Sequence, residues 1–163
     1  MRAGRKALST GAVIAAMLGS LLAAAFAVPS AASAAGCTSG SLIKGSLPAV
    51  YYCGADGKRY VFTNHKAYLT WYADFSGITV LSDSDLGAIP IGGNVTYRPG
   101  KKMVKIQSDP RVYVISRGGV LRHVPSEECA ATLYGAKWNT EIDDISDAFF
   151  VNYKVGPPVT TAQ

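Results

Sequence analysis

The sequence predicts an α+β fold made of two tandem pseudo-symmetric repeats, each an antiparallel β-hairpin followed by short helices. One observation is an echo: "ITVLSDSDLGAIPIGGNV" at 78–95 returns as "IDDISDAFFVNYKVGPPV" at 142–159, with Ile78, Ser82, Asp83, Gly92 and Val95 matched by Ile142, Ser146, Asp147, Gly156 and Val159 without a gap. A second lies upstream, where "LIKGSLPAVYYCGADGKRYVF" aligns with "MVKIQSDPRVYVISRGGVLRHV": Lys44 falls on Lys105, Val50-Tyr51 on Val112-Tyr113 and Gly57 on Gly119. The third is the order of local signals, a glycine turn between two strand-like runs and then a helix start, given twice. Self-similarity at a fixed period indicates duplication of a supersecondary block. Each copy is small, so the two are expected to pack their apolar faces against each other.

The chain opens with a leader. Arg2, Arg5 and Lys6 precede an uncharged apolar run ending near Val28, and Ala32-Ser33-Ala34 suits signal peptidase cleavage before Ala35. Residues 1–34 are therefore expected to be a signal peptide, with 35–41 an N-terminal tail and no membrane span left after cleavage. Ala34-Ala35-Gly36 before Cys37 also resembles a bacterial lipobox, which makes Cys37 a candidate for lipidation, although a polar spacer intervenes and Ala34 stands where leucine is usual. Losing the leader lowers the formal net charge from +5 to +2, so the basic character is largely the leader's. Nucleic acid as a partner thereby loses its electrostatic argument. The densest basic stretch left, "RPGKKMVK", reads as a solvated linker.

Export to an oxidising compartment gives the cysteine count meaning. Three cysteines allow one bridge. If Cys37 is acylated the pair is Cys53–Cys129; if not, three pairings are open. A Cys53–Cys129 bridge would staple the two copies together and is the candidate disulfide, set against two small buried hydrophobes.

Repeat 1 is placed at 42–98 and repeat 2 at 99–159, both packed as one domain, with 160–163 as a tail. "AVYYC" and "KRYVF" are rich in strand-forming residues around "GADG", where Asp56-Gly57 suits a tight turn; Gly118-Gly119 stands in the same place in the second copy. Asn64 and Ser126 are good N-caps for helices over "HKAYLTWYADF" and "EECAATLY", Glu127 and Glu128 suit the positive end of the dipole, and Gly135 suits a stop. Tyr68, Trp71 and Tyr72 fall at helical spacing and read as one core-facing aromatic face. Ser82 and Ser146 each start a short helix, Ser82 with a near capping box to Asp85, and Leu86, Ile89, Phe149, Phe150 and Tyr153 are expected to face inward. Gly92 and Gly156 then end the unit, and Pro99-Gly100 marks the boundary between copies.

"VYYCGADGKRYVF", "DFSG", "IPIGGNVTYRPG", "VYVISRGGVLRHV", "SEECAATLYG" and "FFVNYKVG" resemble an uncharacterised repeat family of bacterial secreted and cell-surface proteins, over nearly all of the chain from Leu42 to Val159. The resemblance implies export, a surface or extracellular location and an accessory module. It supplies no catalytic residue, cofactor or ligand.

For catalysis only His65 and His123 are available as bases, no G-x-S-x-G elbow occurs, and Cys129 beside acidic residues lacks the electropositive setting of a reactive thiolate. Glu141, Asp143, Asp144 and Asp147, with Asp83 and Asp85, offer oxygen ligands but lack the order of a calcium loop; cysteine and histidine spacing does not suit zinc; Walker and dinucleotide motifs are absent. No metal or cofactor is therefore expected. Binding fits better: Tyr51, Tyr52, Tyr60, Tyr97 and Tyr113 lie on or beside strands, where alternation turns some of them outward. Arg59 and Arg122 are matched across copies. The expectation is a secreted, non-catalytic module that binds a cell-wall polymer, glycan or surface protein through Tyr51, Tyr52, Arg59, Tyr60, Tyr113 and Arg122. The alternatives are a small secreted hydrolase using His65 or His123, and a structural envelope component.

Overall fold

Val, Tyr and Phe at alternating positions on either side of a glycine turn give the central hairpin of each half. In the computed structural model, which describes residues 36–160, β1 (Leu42–Lys44), β2 (Val50–Cys53) and β3 (Arg59–Phe62) form an antiparallel meander. Gly57 closes the β2–β3 turn at φ 74°, a conformation costly for any residue with a Cβ. Helix α1 (His65–Leu69) follows, then β4 (Ile78–Val80), α2 (Asp83–Ala88) and β5 (Ile91–Val95). β4 pairs parallel with β1 and β5 parallel with β3, so the sheet runs β4-β1-β2-β3-β5.

The second half is β6 (Met103–Ile106), β7 (Asp109–Ser116), β8 (Val120–His123), α3 (Glu127–Tyr134), a 3-10 turn (Trp138–Glu141), β9 (Ile142–Ile145), α4 (Asp147–Phe150) and β10 (Lys154–Val155). Its sheet runs β9-β6-β7-β8-β10, with an antiparallel meander in the centre and a parallel strand at each edge. Strand for strand, this is the order of the first sheet. Ile78 pairs with Leu42 at the start of one edge strand, and Ile142 with Met103 at the start of the other. Fold class is thus α+β, with mixed five-stranded sheets in place of the expected bare hairpins. The edge strands escaped sequence reading because runs of two to five residues such as "KV", "ITV" and "IGGNV" are too short or too glycine-rich to show alternation.

Local start signals act as their chemistry suggests. Asn64 Oδ1 accepts from Ala67 N–H at 2.8 Å, Ser82 Oγ from Asp85 N–H at 3.1 Å and Ser126 Oγ from Cys129 N–H at 3.2 Å. Gly135 ends α3 at φ 81°. Ser146 precedes α4 without a side-chain cap, in contrast to the expectation. Helix α1 is also shorter than predicted, because Thr70 turns its hydroxyl back onto Ala67 C=O at 2.6 Å and the chain leaves the helix there.

Each half buries most of its own apolar groups: Leu42, Val50, Phe62 and Tyr68, and Ile43, Cys53, Leu86 and Ile89, in the first; Met103, Val124, Cys129 and Ala130 in the second. The expected face-to-face closure is narrower than that. Ala67 of α1 and Tyr97, both fully buried, enter the second half's main cluster beside Val104, Tyr113, Ile115, Leu121, Ile145 and Tyr153. Polar contacts frame this plug: Tyr97 N–H donates to the Tyr153 hydroxyl, Arg98 N–H to Thr70 Oγ1 at 2.9 Å, Asn94 Nδ2 to Asn152 Oδ1, and Lys66 Nζ lies 2.9 Å from Asp143 Oδ1. The stretch "RPGKKMVK" is no free linker. Gly100 turns it at φ 74°, and Met103 and Val104 are fully buried in β6.

The disulfide joins Cys37 to Cys53 and leaves Cys129 a buried thiol, in place of the candidate Cys53–Cys129 bridge. Cys53 and Cys129 belong to separate core clusters, whereas residues 38–41 turn alongside Cys53: Gly40 N–H donates to Cys53 C=O at 2.8 Å and Cys53 N–H to Ser41 C=O at 2.9 Å. A Cys37 sulfur held in that bridge is not available for lipidation. Among the described residues no helix is long and apolar enough to cross a membrane; the predicted leader lies outside them.

Candidate functional site

The six residues expected to make contacts separate into three fates. Tyr113 is buried in the core, edge-on to Phe150 at 5.9 Å, because its β7 position faces the plug. Arg122 is half-buried and spent on the C-terminal segment, Nε donating to Pro157 C=O at 3.1 Å and Nη2 to Pro158 C=O at 3.0 Å. Arg59 lies over the Tyr51 ring at 4.8 Å, and Tyr51 packs on Ile43, Cys53, Leu86 and Ile89, so this pair braces the sheet. Tyr97 is fully buried; burial first, and then the charge of Asp143, pushes its phenol far above the ordinary range.

Tyr52 and Tyr60 do reach a surface. They are cross-strand partners on β2 and β3, which places their rings on one face of the sheet. With Trp71, Asp56, Asn94 and Thr96 they line a shallow trough of about 570 Å³. Tyr60 is fixed from several sides. Its hydroxyl donates to Asp56 Oδ2 at 2.7 Å, which holds the Asp56 carboxyl below the ordinary carboxylate range and raises the phenol. Its ring lies against Gly54 and Gly92, where an added Cβ would meet ring carbons at 2.6 and 2.7 Å. Gly92 thus has a reason beyond ending the unit. Its counterpart Gly156 is similarly crowded, by Val120 Cγ1 at 2.6 Å.

Trp71 is misplaced in the opposite sense to Tyr113, expected in the core and found at the surface. Because α1 ends at Leu69, the helical spacing of Tyr68, Trp71 and Tyr72 breaks after the first: Tyr68 is buried, Tyr72 half-buried and Trp71 39% exposed. Its indole N–H donates to Thr96 C=O at 2.8 Å, which holds the ring on edge as a wall. Trp71 lines the trough and also a cleft of about 530 Å³ at the seam of the two halves, whose other lining includes Lys66, Arg98, Lys101, Lys102 and Asp143. Lys66 is paired with Asp143, and Lys102 with Glu141 at 2.8 Å. Arg98 lies over the Trp71 ring at 5.7 Å, and both Arg98 and Lys101 are exposed without an ion pair among the described residues.

The other candidates are differently employed. His65 stacks on Phe75 at 5.4 Å and His123 tilts over Tyr113 at 5.8 Å; among the described residues neither imidazole is hydrogen-bonded to a hydroxyl, thiol or carboxylate. Five of the six acids weighed for calcium serve elsewhere: Asp143, Asp144 and Glu141 in ion pairs with Lys66, Lys105 and Lys102, Asp83 accepting from Ser46 N–H and Oγ–H, and Asp85 from Ser82 Oγ–H. Among the described residues no group of three or more His, Cys, Asp or Glu side chains is placed to hold a metal ion.

A scan against protein-family models, a search of curated proteins and a search of solved structures each return no match for this chain.

Proposed function

We propose that the protein is an exported, non-catalytic glycan-binding module of the bacterial surface, built from two tandem copies of one sheet-and-helix unit and belonging to the secreted repeat family that its motifs resemble. One observation carries the binding role: Tyr52, Tyr60 and Trp71, from two adjacent strands and the loop after α1, present aromatic surface to a single trough whose remaining lining includes Asp56, Asn94 and Thr96. Pyranose rings have apolar C–H faces and a rim of hydroxyls, so they suit aromatic walls flanked by carboxylate, amide and hydroxyl groups. The trough is also preorganised, since Tyr60 is held by Asp56 and by two glycines. The duplication draws support from the shared strand order and the equivalent pairings of Ile78 and Ile142, and export from the leader and the Cys37–Cys53 bridge.

The test is retention of the purified protein on cell wall and on a panel of immobilised glycans. Trp71→Ala and Tyr60→Ala should each weaken retention about tenfold, equivalent to ~1.4 kcal/mol. Trp71→Phe should retain more of it, and Tyr113→Phe, a core change, should leave it unaltered. Retention on wall or glycan that is indifferent to both alanine substitutions, or no retention at all, would remove this reading.

A further inference from the structure

We infer that the basic cleft sharing Trp71 with the trough is an anion subsite, so that the ligand is an acidic glycopolymer whose sugar ring lies in the trough and whose carboxylate or phosphodiester group reaches Arg98 and Lys101. The inference rests on the glycan reading of the trough and names the substrate class it takes. Its first support is continuity. Trp71 lines both the aromatic trough and the basic cleft, so a chain passing over it meets both. Its second is charge. Four cations and a single carboxylate line the cleft, and that carboxylate, Asp143, is already matched by Lys66.

Lys102 is likewise matched by Glu141, which leaves Arg98 and Lys101 as the cleft's cations without an ion pair among the described residues. The protein freed of its predicted leader carries only a small net positive charge, so this is a local concentration rather than a general property of the surface. The arrangement is also fixed. Arg98 N–H is tied to Thr70 Oγ1 and Lys101 N–H to Arg98 C=O, so the backbone carrying both side chains is held at the end of α1. A guanidinium resting against an aromatic ring keeps its N–H edge free to donate to an anionic oxygen while its face stays covered. Carboxylate and phosphodiester oxygens share this chemistry, and the test separates them.

The experiment measures affinity for a neutral polysaccharide, a polyuronate and a polymer of hexoses joined by phosphodiester links, at low and at raised salt. It uses the wild-type protein and the variants Arg98→Gln, Lys101→Gln and Tyr60→Ala, with Lys154→Gln as a charge control on the edge strand of the second sheet away from β9. The expected result is at least one acidic polymer bound tenfold or more tighter than the neutral one, an advantage that shrinks with salt and falls several-fold in Arg98→Gln and Lys101→Gln but not in Lys154→Gln. Preference for the polyuronate assigns a carboxylate, and preference for the phosphate polymer a phosphodiester. Equal affinity for neutral and acidic polymers, or an equal loss in Lys154→Gln, overturns the anion subsite while leaving the trough in place. Acidic binding that needs Arg98 and Lys101 but ignores Tyr60→Ala keeps the subsite and removes the trough. No binding to any of the three overturns both.

Discussion

Replacing Gly92 by alanine should damage the protein through Tyr60 and nothing else. Gly92 has no left-handed φ to preserve, so the substitution is a pure test of space. A Cβ there would meet Tyr60 Cζ first and lie 2.7 Å from Cε1 and Cε2, well inside the roughly 3.5–4.0 Å of ordinary carbon contact, so the ring must swing by more than about 1 Å. Gly54 closes the other approach and Asp56 holds the hydroxyl, so the swing also disturbs a hydrogen bond. Overpacking of this kind costs about 1–3 kcal/mol, and the stiffer unfolded chain returns about 0.4–1 kcal/mol. The expected net loss is roughly 1–2 kcal/mol, a fall in Tm of roughly 3–10 °C by calorimetry or circular dichroism. A double-mutant cycle identifies the cause. In a Tyr60→Ala background Gly92→Ala should become neutral or slightly stabilising, whereas in Tyr60→Phe, which keeps the ring, most of the cost should persist. An equal cost in all three backgrounds would refute the reasoning.

Cys37→Ser should lower stability by about 3 kcal/mol, because the bridge closes a loop between residues 16 apart; denaturant unfolding with and without reductant checks this, and Cys129 should react with a thiol probe only after unfolding. Tyr97→Phe should be neutral or stabilising, since the buried hydroxyl has no hydrogen-bond partner among the described residues, while Tyr97→Ala, which empties the plug between the halves, should cost about 3–5 kcal/mol in the same assay. Ser46 holds Asp83, Arg111 holds Asp109 and Ser76 holds Asp74 below the ordinary carboxylate range. Carboxyls lowered in the folded state contribute stability that is complete above their unfolded values and is lost as pH falls through the lowered ones. Stability should therefore decline as pH falls below about 4, less steeply in Asp83→Asn; an acid decline equally steep in Asp83→Asn would contradict this.

What could be read in advance was local. Asn64, Ser82 and Ser126 announce helix starts because a short polar side chain before an apolar period has a backbone N–H to satisfy, and Gly57, Gly119 and Gly135 announce turns and a stop because only glycine takes their φ cheaply. The echo of Gly92 in Gly156 was visible, though its cause was not: each passes beneath a side chain of the neighbouring strand, a contact that exists only once a parallel edge strand is paired. Tyr52 and Tyr60 were found by strand alternation, which holds for cross-strand partners. Alternation says which side a ring takes, not whether that side is covered, and so Tyr113 was included beside them although its side meets Tyr97 and Phe150. Trp71 was lost to a helical period that Thr70 cuts short. Arg98 and Lys101 stood in the basic stretch "RPGKKMVK" but were read as solvated linker, because the cleft exists only where the seam brings Lys66 and Trp71, at and after α1, against the turn after β5. The disulfide likewise depended on a turn at 38–41 that lays the N-terminal segment beside β2.

Trp71 offers the most direct check, because the two tryptophans of the chain, Trp71 and Trp138, give separable indole N–H signals in a ¹⁵N-resolved NMR spectrum, assignable with Trp71→Phe. Titration with the acidic polymer that binds best should shift the Trp71 signal in a saturable way and leave that of Trp138, packed in the second half's core near Cys129, unmoved. Saturable binding with the Trp71 signal stationary, or with only Trp138 moving, would contradict the account.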